Sequence, residues 1–156
     1  MIDVSDPTAP VEVSSYAFTN QSYVYCWGVA VEGNLVYATF EHGYIRVLDV
    51  TDPTDPVLVG GFDEALDNIY DIVSEGDYAY LAYSWQGLGG FELATDPTHP
   101  LPVAVIDTPR DAWQLDVHDG HVYLADREGG LQIFDVSDPA APELTFTHNA
   151  ATNSLE

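Results

Sequence analysis

The chain has 156 residues, enough for one domain with a sizeable core, and its 46% of hydrophobic residues is typical of a folded protein. Its 26 acidic residues stand against three arginines and no lysine, which gives a formal net charge of −23. That charge excludes general binding to the phosphate backbone of nucleic acids, and no apolar run reaches the ~18 residues that a membrane-inserting helix needs. Two explanations of the charge are open, adaptation to molar salt and a calcium-rich setting, and we favour the first.

The chain opens on a phrase that returns three more times. It reads "DVSDPTAPVEV" at 3–13, "DVTDPTDPVLV" at 49–59, "ATDPTHPLPV" at 94–103 and "DVSDPAAPELT" at 135–145. Asp, Ser and Thr side chains can hydrogen-bond the backbone of a turn, and proline removes a backbone donor and ends strand pairing. The phrase therefore predicts a corner between two strands, in which the Asp and Ser/Thr side chains hold the turn rather than a ligand.

A second set of matching segments follows each of the first three corners. The segments that begin at Trp27, Tyr70 and Trp113 superpose without a gap at a spacing of 43 residues. In the first one, "WGVAV" alternates, "EGN" turns, and "LVYATF", "YIRVLDV" and "VLVGGF" follow as further strands. Since no stretch has a sustained helical period, we expect almost no helix. The single cysteine, Cys26, lies in an apolar run and is predicted to be buried.

Four short antiparallel strands per repeat of this length are typical of a β-propeller blade. The phrase "GLQIFDVSDPAAPE" at 130–143, with the strand pair "WQLDVHDGHVYLA" at 113–125 before it, resembles the LVIVD-repeat propellers of bacterial and archaeal surface proteins. The matching positions of the earlier units carry the same resemblance, which covers nearly the whole chain. It implies an all-β propeller located outside the cell or on its surface, and it says little about activity.

By analogy with other propellers, the first strand of each unit is expected to be innermost. We predict blades at residues 25–62, 69–106 and 112–147 of a single propeller domain. Residues 1–24 would supply the last two strands of an incomplete blade and a loop, and residues 148–156 a tail. About three and a half blades leave sheet edges exposed, so we expect completion by the rest of a longer propeller or, second, by other copies of the chain.

Propellers usually bind ligands at loops around one mouth of the central channel, here the loops entering the inner strands and those between second and third strands. Five carboxylates in these loops are candidate calcium ligands: Asp63, Asp67, Asp107, Asp111 and Asp126. The alternative, which we favour, is that they belong to a uniformly acidic surface. Arg110 and Arg127 either clamp a carboxylate or sulfate ligand or, as we favour, pair with acidic neighbours.

The aromatic residues of the same face allow two interpretations. Trp27, Tyr70 and Trp113 either stack on a sugar or quaternary ammonium at the mouth or pack blade against blade, and their periodicity favours packing. Trp85 has no aromatic counterpart in the other units and is the best single candidate for a ligand contact. His42 is predicted to lie on the same face.

Two functions are open from the sequence. The first is a non-enzymatic interaction or scaffold module that binds a protein, a glycan or a cation. The second is a metal-dependent, hydrolase-like propeller enzyme with carboxylates at the channel mouth, for which Asp71, Gln114 and Asp116 on the inner strands are the only indications. We favour the module because motifs such as H-E-x-x-H and G-x-S-x-G do not occur in the sequence.

Overall fold

The computed structural model describes residues 1–18, 25–63 and 67–149, and over these ranges the chain forms one two-stranded and three four-stranded antiparallel sheets. The two-stranded sheet, called the half-blade, pairs β1 (Ile2–Asp3) with β2 (Val11–Glu12). Blade 1 contains β3 (Cys26–Glu32), β4 (Leu35–Phe40), β5 (Tyr44–Asp49) and β6 (Val57–Asp63). Blade 2 contains β7 (Asp71–Glu75), β8 (Tyr78–Ala82), β9 (Leu88–Glu92) and β10 (Leu101–Ile106). Blade 3 contains β11 (Gln114–His118), β12 (His121–Ala125), β13 (Leu131–Asp135) and β14 (Glu143–His148).

Each blade is a meander in which neighbouring strands are consecutive in sequence. The only helical elements in the described ranges are two three-residue 3₁₀ turns, Glu41–Gly43 and Arg127–Gly129, and no helix there is long and apolar enough to cross a membrane. The prediction of an all-β fold with about three and a half blades is confirmed. The predicted loop at 19–24 and the tail beyond 149 lie outside the described residues.

Tight two-residue turns join the first and second strands of every blade. Gly33 and Gly76 take the first turn position with φ of 58° and 60°, which is the φ sign that a type II′ turn requires there. In blade 3, Asp119 and Gly120 both have positive φ, 49° and 69°, as in a type I′ turn. These turns fix the register of the hairpins and therefore decide which side chains face the neighbouring blade.

The repeated corner is a hydrogen-bonded turn centred on its second aspartate. In blade 1, Asp52 Oδ1 accepts hydrogen bonds from the Thr54 backbone N–H at 2.9 Å and from the Thr54 hydroxyl at 2.7 Å. Asp6 and Asp96 make the same two bonds, whereas Asp138 accepts only the backbone N–H of residue 140 because alanine stands there. The predicted turn role of these side chains is confirmed. The bonds to the Thr54 hydroxyl and N–H lower the pKa of Asp52.

The hydrophobic core lies between blades, because each sheet is apolar on both faces. Between blades 1 and 2, Tyr37 and Val47 pack against Ile72 and Leu81, and all four are at most 2% exposed. Between blades 2 and 3 a second cluster contains the residues Tyr80, Ala82, Leu88, Leu115, Val122, Leu124 and Phe134. Burial of about 25 cal/mol per Å² of apolar surface at these two interfaces holds the blades together.

The first strands of the blades lie side by side at the centre, β3 against β7 and β7 against β11. At Gly28 an added Cβ would lie 2.8 Å from Asp71 Cα, so β3 and β7 approach more closely than a side chain allows. The Asp71 carboxylate accepts backbone N–H bonds from Ile72 at 3.0 Å and from Leu115 at 3.1 Å, which ties blade 2 to blade 3. Burial raises the pKa of Asp71.

The half-blade and its following segment cover only part of blade 1. The Ser14 hydroxyl donates to the Pro53 carbonyl at 2.7 Å, and the Phe18 and Phe40 rings meet edge to face at 4.9 Å. Val29 and Val31 on β3 remain 60% and 59% exposed. The innermost strand of blade 1 is therefore open to solvent on one face.

The prediction that Cys26 is buried is wrong. Cys26 begins β3, where the open face of the strand leaves it exposed. Its thiol is still partly covered, 3.7 Å from the Gly28 carbonyl, and this desolvation raises the pKa of Cys26.

Candidate ligand site at the channel mouth

Three aromatic residues from three blades meet at one end of the inner strands, and we call them the aromatic cluster: Trp27, Tyr70 and Trp113. The ring centroids of Trp27 and Tyr70 are 5.6 Å apart, those of Tyr70 and Trp113 4.3 Å, and those of Trp27 and Trp113 6.5 Å. The interpretation of these residues as blade-to-blade packing is confirmed. This packing does not bury all of the ring surface, because Trp27 remains 43% exposed.

Arg127 extends the cluster with a fixed positive charge. Its guanidinium carbon lies 4.1 Å from the centroid of the Trp113 ring, and its Nη1 lies 3.1 Å from Asp111 Oδ2. Asp111 is itself only 4% exposed and accepts a hydrogen bond from the Ser84 hydroxyl at 3.1 Å. The predicted pairing of Arg127 with an acidic neighbour is confirmed. The contacts with Asp111 and Trp113 hold the planar guanidinium of Arg127 in place. Because the Arg127 side chain is 45% exposed, the guanidinium is still accessible to a ligand.

Asp126 fastens the two loops that carry Asp111 and Arg127. It is fully buried, and its carboxylate accepts the Thr108 hydroxyl at 2.9 Å and the Arg110 backbone N–H at 3.1 Å. An added Cβ on Gly129 would lie 2.0 Å from Asp126 Oδ2, so only glycine fits in this turn. Burial raises the pKa of Asp126, which the Thr108 hydrogen bond partly offsets. Asp126 thus holds the two loops of the mouth together from a buried position.

The remaining candidate calcium ligands are spread over the face. Asp63 pairs with Arg46, Asp67 accepts the backbone N–H of Asn68 at 2.8 Å, and Asp107 is exposed. Across residues 1–18, 25–63 and 67–149, no three His, Cys, Asp or Glu side chains gather in a way that could hold a metal ion. Calcium binding stays a prediction from the sequence.

The other three residues predicted to contact a ligand are Trp85, Arg110 and His42, and all three are exposed. Trp85 is 63% exposed in the turn after β8. An antiparallel backbone bridge between Ser84 and Ala112 sets this turn beside the segment that leads into Trp113. Arg110 is exposed in the loop that Asp126 fastens. His42 is exposed in the 3₁₀ turn of blade 1, where its backbone N–H donates to Asn68 Oδ1 at 3.0 Å.

The inner-strand residues that suggested an enzyme have local roles or none that the structure identifies. Both oxygens of Asp71 accept backbone N–H groups, and Asp116 Oδ1 accepts the Val117 N–H at 2.9 Å. Gln114 is exposed at the start of β11. The stack of Trp113, Arg127 and Asp111 was not predicted as a unit. Its one sequence signal is that Asp111 and Arg127 fall in loops assigned to the face at which Trp113 opens its inner strand.

Comparisons with known proteins agree on the architecture. The computationally designed Ika4 protein superposes with a TM-score of 0.66 at 14% identity, covering 88% of this chain and 78% of its own. Sqt1 from Saccharomyces cerevisiae gives 0.67 at 9% identity over 80% of this chain, and BamB from Moraxella catarrhalis gives 0.61 at 14% over 80%. The chain spans only 35% of Sqt1 and 37% of BamB.

At these identities the structural matches show the fold alone, and no curated protein matches the sequence. The family evidence comes from the repeats themselves. The model of the LVIVD repeat matches residues 1–18, 25–64, 69–89 and 109–150, which include the half-blade, blades 1 and 3, and the first two strands of blade 2 with the start of its third. The chain therefore belongs to the LVIVD-repeat family and has a β-propeller fold.

Proposed function

We propose that this chain is part of a non-enzymatic binding module, located outside the cell or on its surface, that holds a neutral glycan at the aromatic cluster. The observation that carries the proposal is the exposed Trp27 ring beside Tyr70 and Trp113, with Arg127 fixed at the edge of the group. The apolar C–H face of a sugar ring packs on an aromatic face. A guanidinium that retains free N–H groups donates to the sugar's hydroxyls.

The charges around the cluster support a neutral ligand. The formal net charge of −23 repels acidic glycans, and Asp111 already balances the charge of Arg127. A quaternary ammonium ligand is disfavoured, because the Arg127 guanidinium occupies one face of Trp113. A neutral sugar suffers neither repulsion, and its hydroxyls accept hydrogen bonds from the guanidinium.

Isothermal titration with hexamers of β-1,4-linked glucose and of β-1,4-linked N-acetylglucosamine tests the proposal. We expect one of them to bind, and Trp27→Ala and Arg127→Gln each to weaken that binding at least tenfold. Leu101→Ala is the control, because Leu101 is 47% exposed on the outer strand of blade 2. Absence of binding by both hexamers, or unchanged binding by Trp27→Ala, would contradict the proposal.

The calcium prediction is tested in the same instrument by titrating CaCl₂ alone into the protein. A stoichiometric heat that Asp107→Asn abolishes would support a cation site at the mouth. Sugar binding that appears only after calcium is added would make the cation part of the glycan site. A flat calcium titration would leave the exposed Asp63 and Asp107 as part of an acidic surface, whereas Asp111 and Asp126 are buried and hold the loops.

A further inference from the structure

The turn between β8 and β9 presents one tryptophan to solvent on a closely held backbone. The Tyr83 N–H donates to the Gly87 carbonyl at 2.8 Å, and the Gln86 N–H donates to the Tyr83 carbonyl at 2.8 Å. An added Cβ on Gly87 would lie 2.2 Å from the Ile106 carbonyl oxygen, so only glycine fits where the turn meets β10. Trp85, at the tip of the turn, is still 63% exposed. Its backbone is therefore fixed while most of its side chain faces solvent.

The repeat does not account for this tryptophan. Positions 42, 85 and 128 are equivalent at the spacing of 43 residues, and they hold His42, Trp85 and Glu128. A residue that packs blade against blade would be expected to recur at all three positions and to be buried, as repeats contact only their neighbours. Trp85 meets neither condition, so blade packing does not explain it.

One buried carboxylate ties this turn to Arg127. Ser84 and Arg127 stand at equivalent positions of blades 2 and 3 and share a left-handed backbone, with φ of 44° and 40°. Asp111 Oδ1 accepts the Ser84 hydroxyl at 3.1 Å, and Asp111 Oδ2 lies 3.1 Å from Arg127 Nη1. Non-glycine residues keep this conformation only where their surroundings hold it, and they are common at ligand-binding sites. Asp111 thus holds together two turns of adjacent blades that pack on each other within the chain.

Trp85 lies close enough to the aromatic cluster to share a ligand with it. Ser84 and Ala112 form an antiparallel bridge, and each is followed by a tryptophan, Trp85 and Trp113. Bridged residues lie about 5 Å apart and consecutive Cα atoms about 3.8 Å, so the Cα atoms of the two tryptophans lie at most about 13 Å apart. Among the described residues, Trp85 makes no ring contact with the cluster. The two aromatic surfaces are therefore near each other and separate.

We propose that Trp85 is a second sugar subsite, so that the glycan site takes a chain of linked sugars rather than a single sugar. This inference rests on the proposed function. One sugar packs on the aromatic cluster beside Arg127, and another sugar of the same chain packs its C–H face on Trp85. Because Asp111 already fixes both turns, the ligand does not have to order them, and little affinity is lost to conformational entropy.

Isothermal titration with the dimers and the hexamers of β-1,4-linked glucose and of β-1,4-linked N-acetylglucosamine tests the second subsite. We expect the unmodified protein to bind one hexamer at least about tenfold more tightly than the matching dimer, because only the hexamer reaches both subsites. Trp85→Ala should weaken hexamer binding about tenfold and dimer binding less than about twofold. Gln86→Ala is the control, because Gln86 is exposed in the same turn, and it should bind as the unmodified protein does.

A second variant tests the connection to Asp111. Ser84→Ala removes the hydroxyl that joins the Trp85 turn to Asp111 and leaves the pair of Asp111 and Arg127 in place. It should weaken hexamer binding by a smaller factor than Trp85→Ala does, again with little effect on the dimer.

The outcomes separate this inference from the proposed function. Hexamer binding that Trp27→Ala weakens and Trp85→Ala does not would overturn the second subsite and leave the proposed function standing. Equal losses for dimer and hexamer in Trp85→Ala, or equally tight binding of both by the unmodified protein, would also overturn it. Absence of binding by both hexamers would overturn the proposed function and the second subsite together.

Discussion

Tyr37 and Tyr123 hold equivalent positions on the second strands of blades 1 and 3, but Tyr37 is 0% exposed and Tyr123 37%. Replacing them one at a time tests how much a neighbouring blade contributes to stability. A tyrosine side chain buries roughly 200 Å², so the 37 percentage points between Tyr37 and Tyr123 correspond to about 75 Å². At about 25 cal/mol per Å² that area contributes about 2 kcal/mol to the free energy of unfolding. Tyr37 also donates its hydroxyl to the Pro97 carbonyl at 2.9 Å, a hydrogen bond that contributes about 1 kcal/mol.

We therefore expect Tyr37→Ala to lower the free energy of unfolding by about 3 kcal/mol more than Tyr123→Ala does. Tyr37→Phe should cost about 1 kcal/mol and Tyr123→Phe close to nothing. The assay is urea unfolding followed by tryptophan fluorescence, at a protein concentration where light scattering shows single chains. Equal losses for the two alanine variants would refute the claim that burial by the next blade sets the difference.

Three further predictions follow from the corners, the charge and the close approach of backbones. Hydrogen bonds from Thr54 hold the pKa of Asp52 below its unfolded value, so they stabilise the fold above pH ~4. This contribution is lost as the pH falls through the folded-state pKa. In a pH series of unfolding curves, Thr54→Val should therefore lose less of its free energy of unfolding on acidification than the unmodified protein does. Raising NaCl from ~0.1 to ~3 M should raise Tm, because screening weakens the repulsion among charges that sum to −23, and an unchanged Tm would count against a salt-loving source. Gly60→Ala should destabilise by about 1–3 kcal/mol, because the new Cβ would lie 2.0 Å from the Thr98 carbonyl oxygen, whereas Gly90→Ala, with its nearest atom at 3.4 Å, should lose clearly less in the same calorimetric scan.

The repeat made most of the fold predictable. The spacing of 43 residues and the turn chemistry of "EGN" and "DVSDP" are local signals, and each is present in several copies. A copy that is hard to interpret alone, such as "ATDPTHPLPV", takes its meaning from the others. The same hydrogen bonds at Asp6, Asp52 and Asp96 show why the interpretation transferred between copies.

The site was predictable only as a face. The sequence places Arg127 and Asp111 in loops on one side and Trp113 at the start of the adjacent inner strand. Which ring and which carboxylate the Arg127 side chain contacts depends on side-chain packing, which no local pattern encodes. The prediction that Cys26 is buried was wrong for a related reason. Its apolar neighbourhood predicts burial, yet burial on a blade face also requires a complete neighbouring blade.

The corner has a second set of contacts, made by the blade before it. Tyr37 donates to the carbonyl of Pro97 in the corner of blade 2, Gly60 passes against Thr98 of the same corner, and Ser14 donates to Pro53 in the corner of blade 1. Each corner must therefore form its own hydrogen-bonded turn and also fit against the preceding blade or half-blade. A blade exchanged for one from another propeller would keep its neighbours only if it brought a corner of the same shape. During gene duplication this requirement favours copying the corner together with the strands before it.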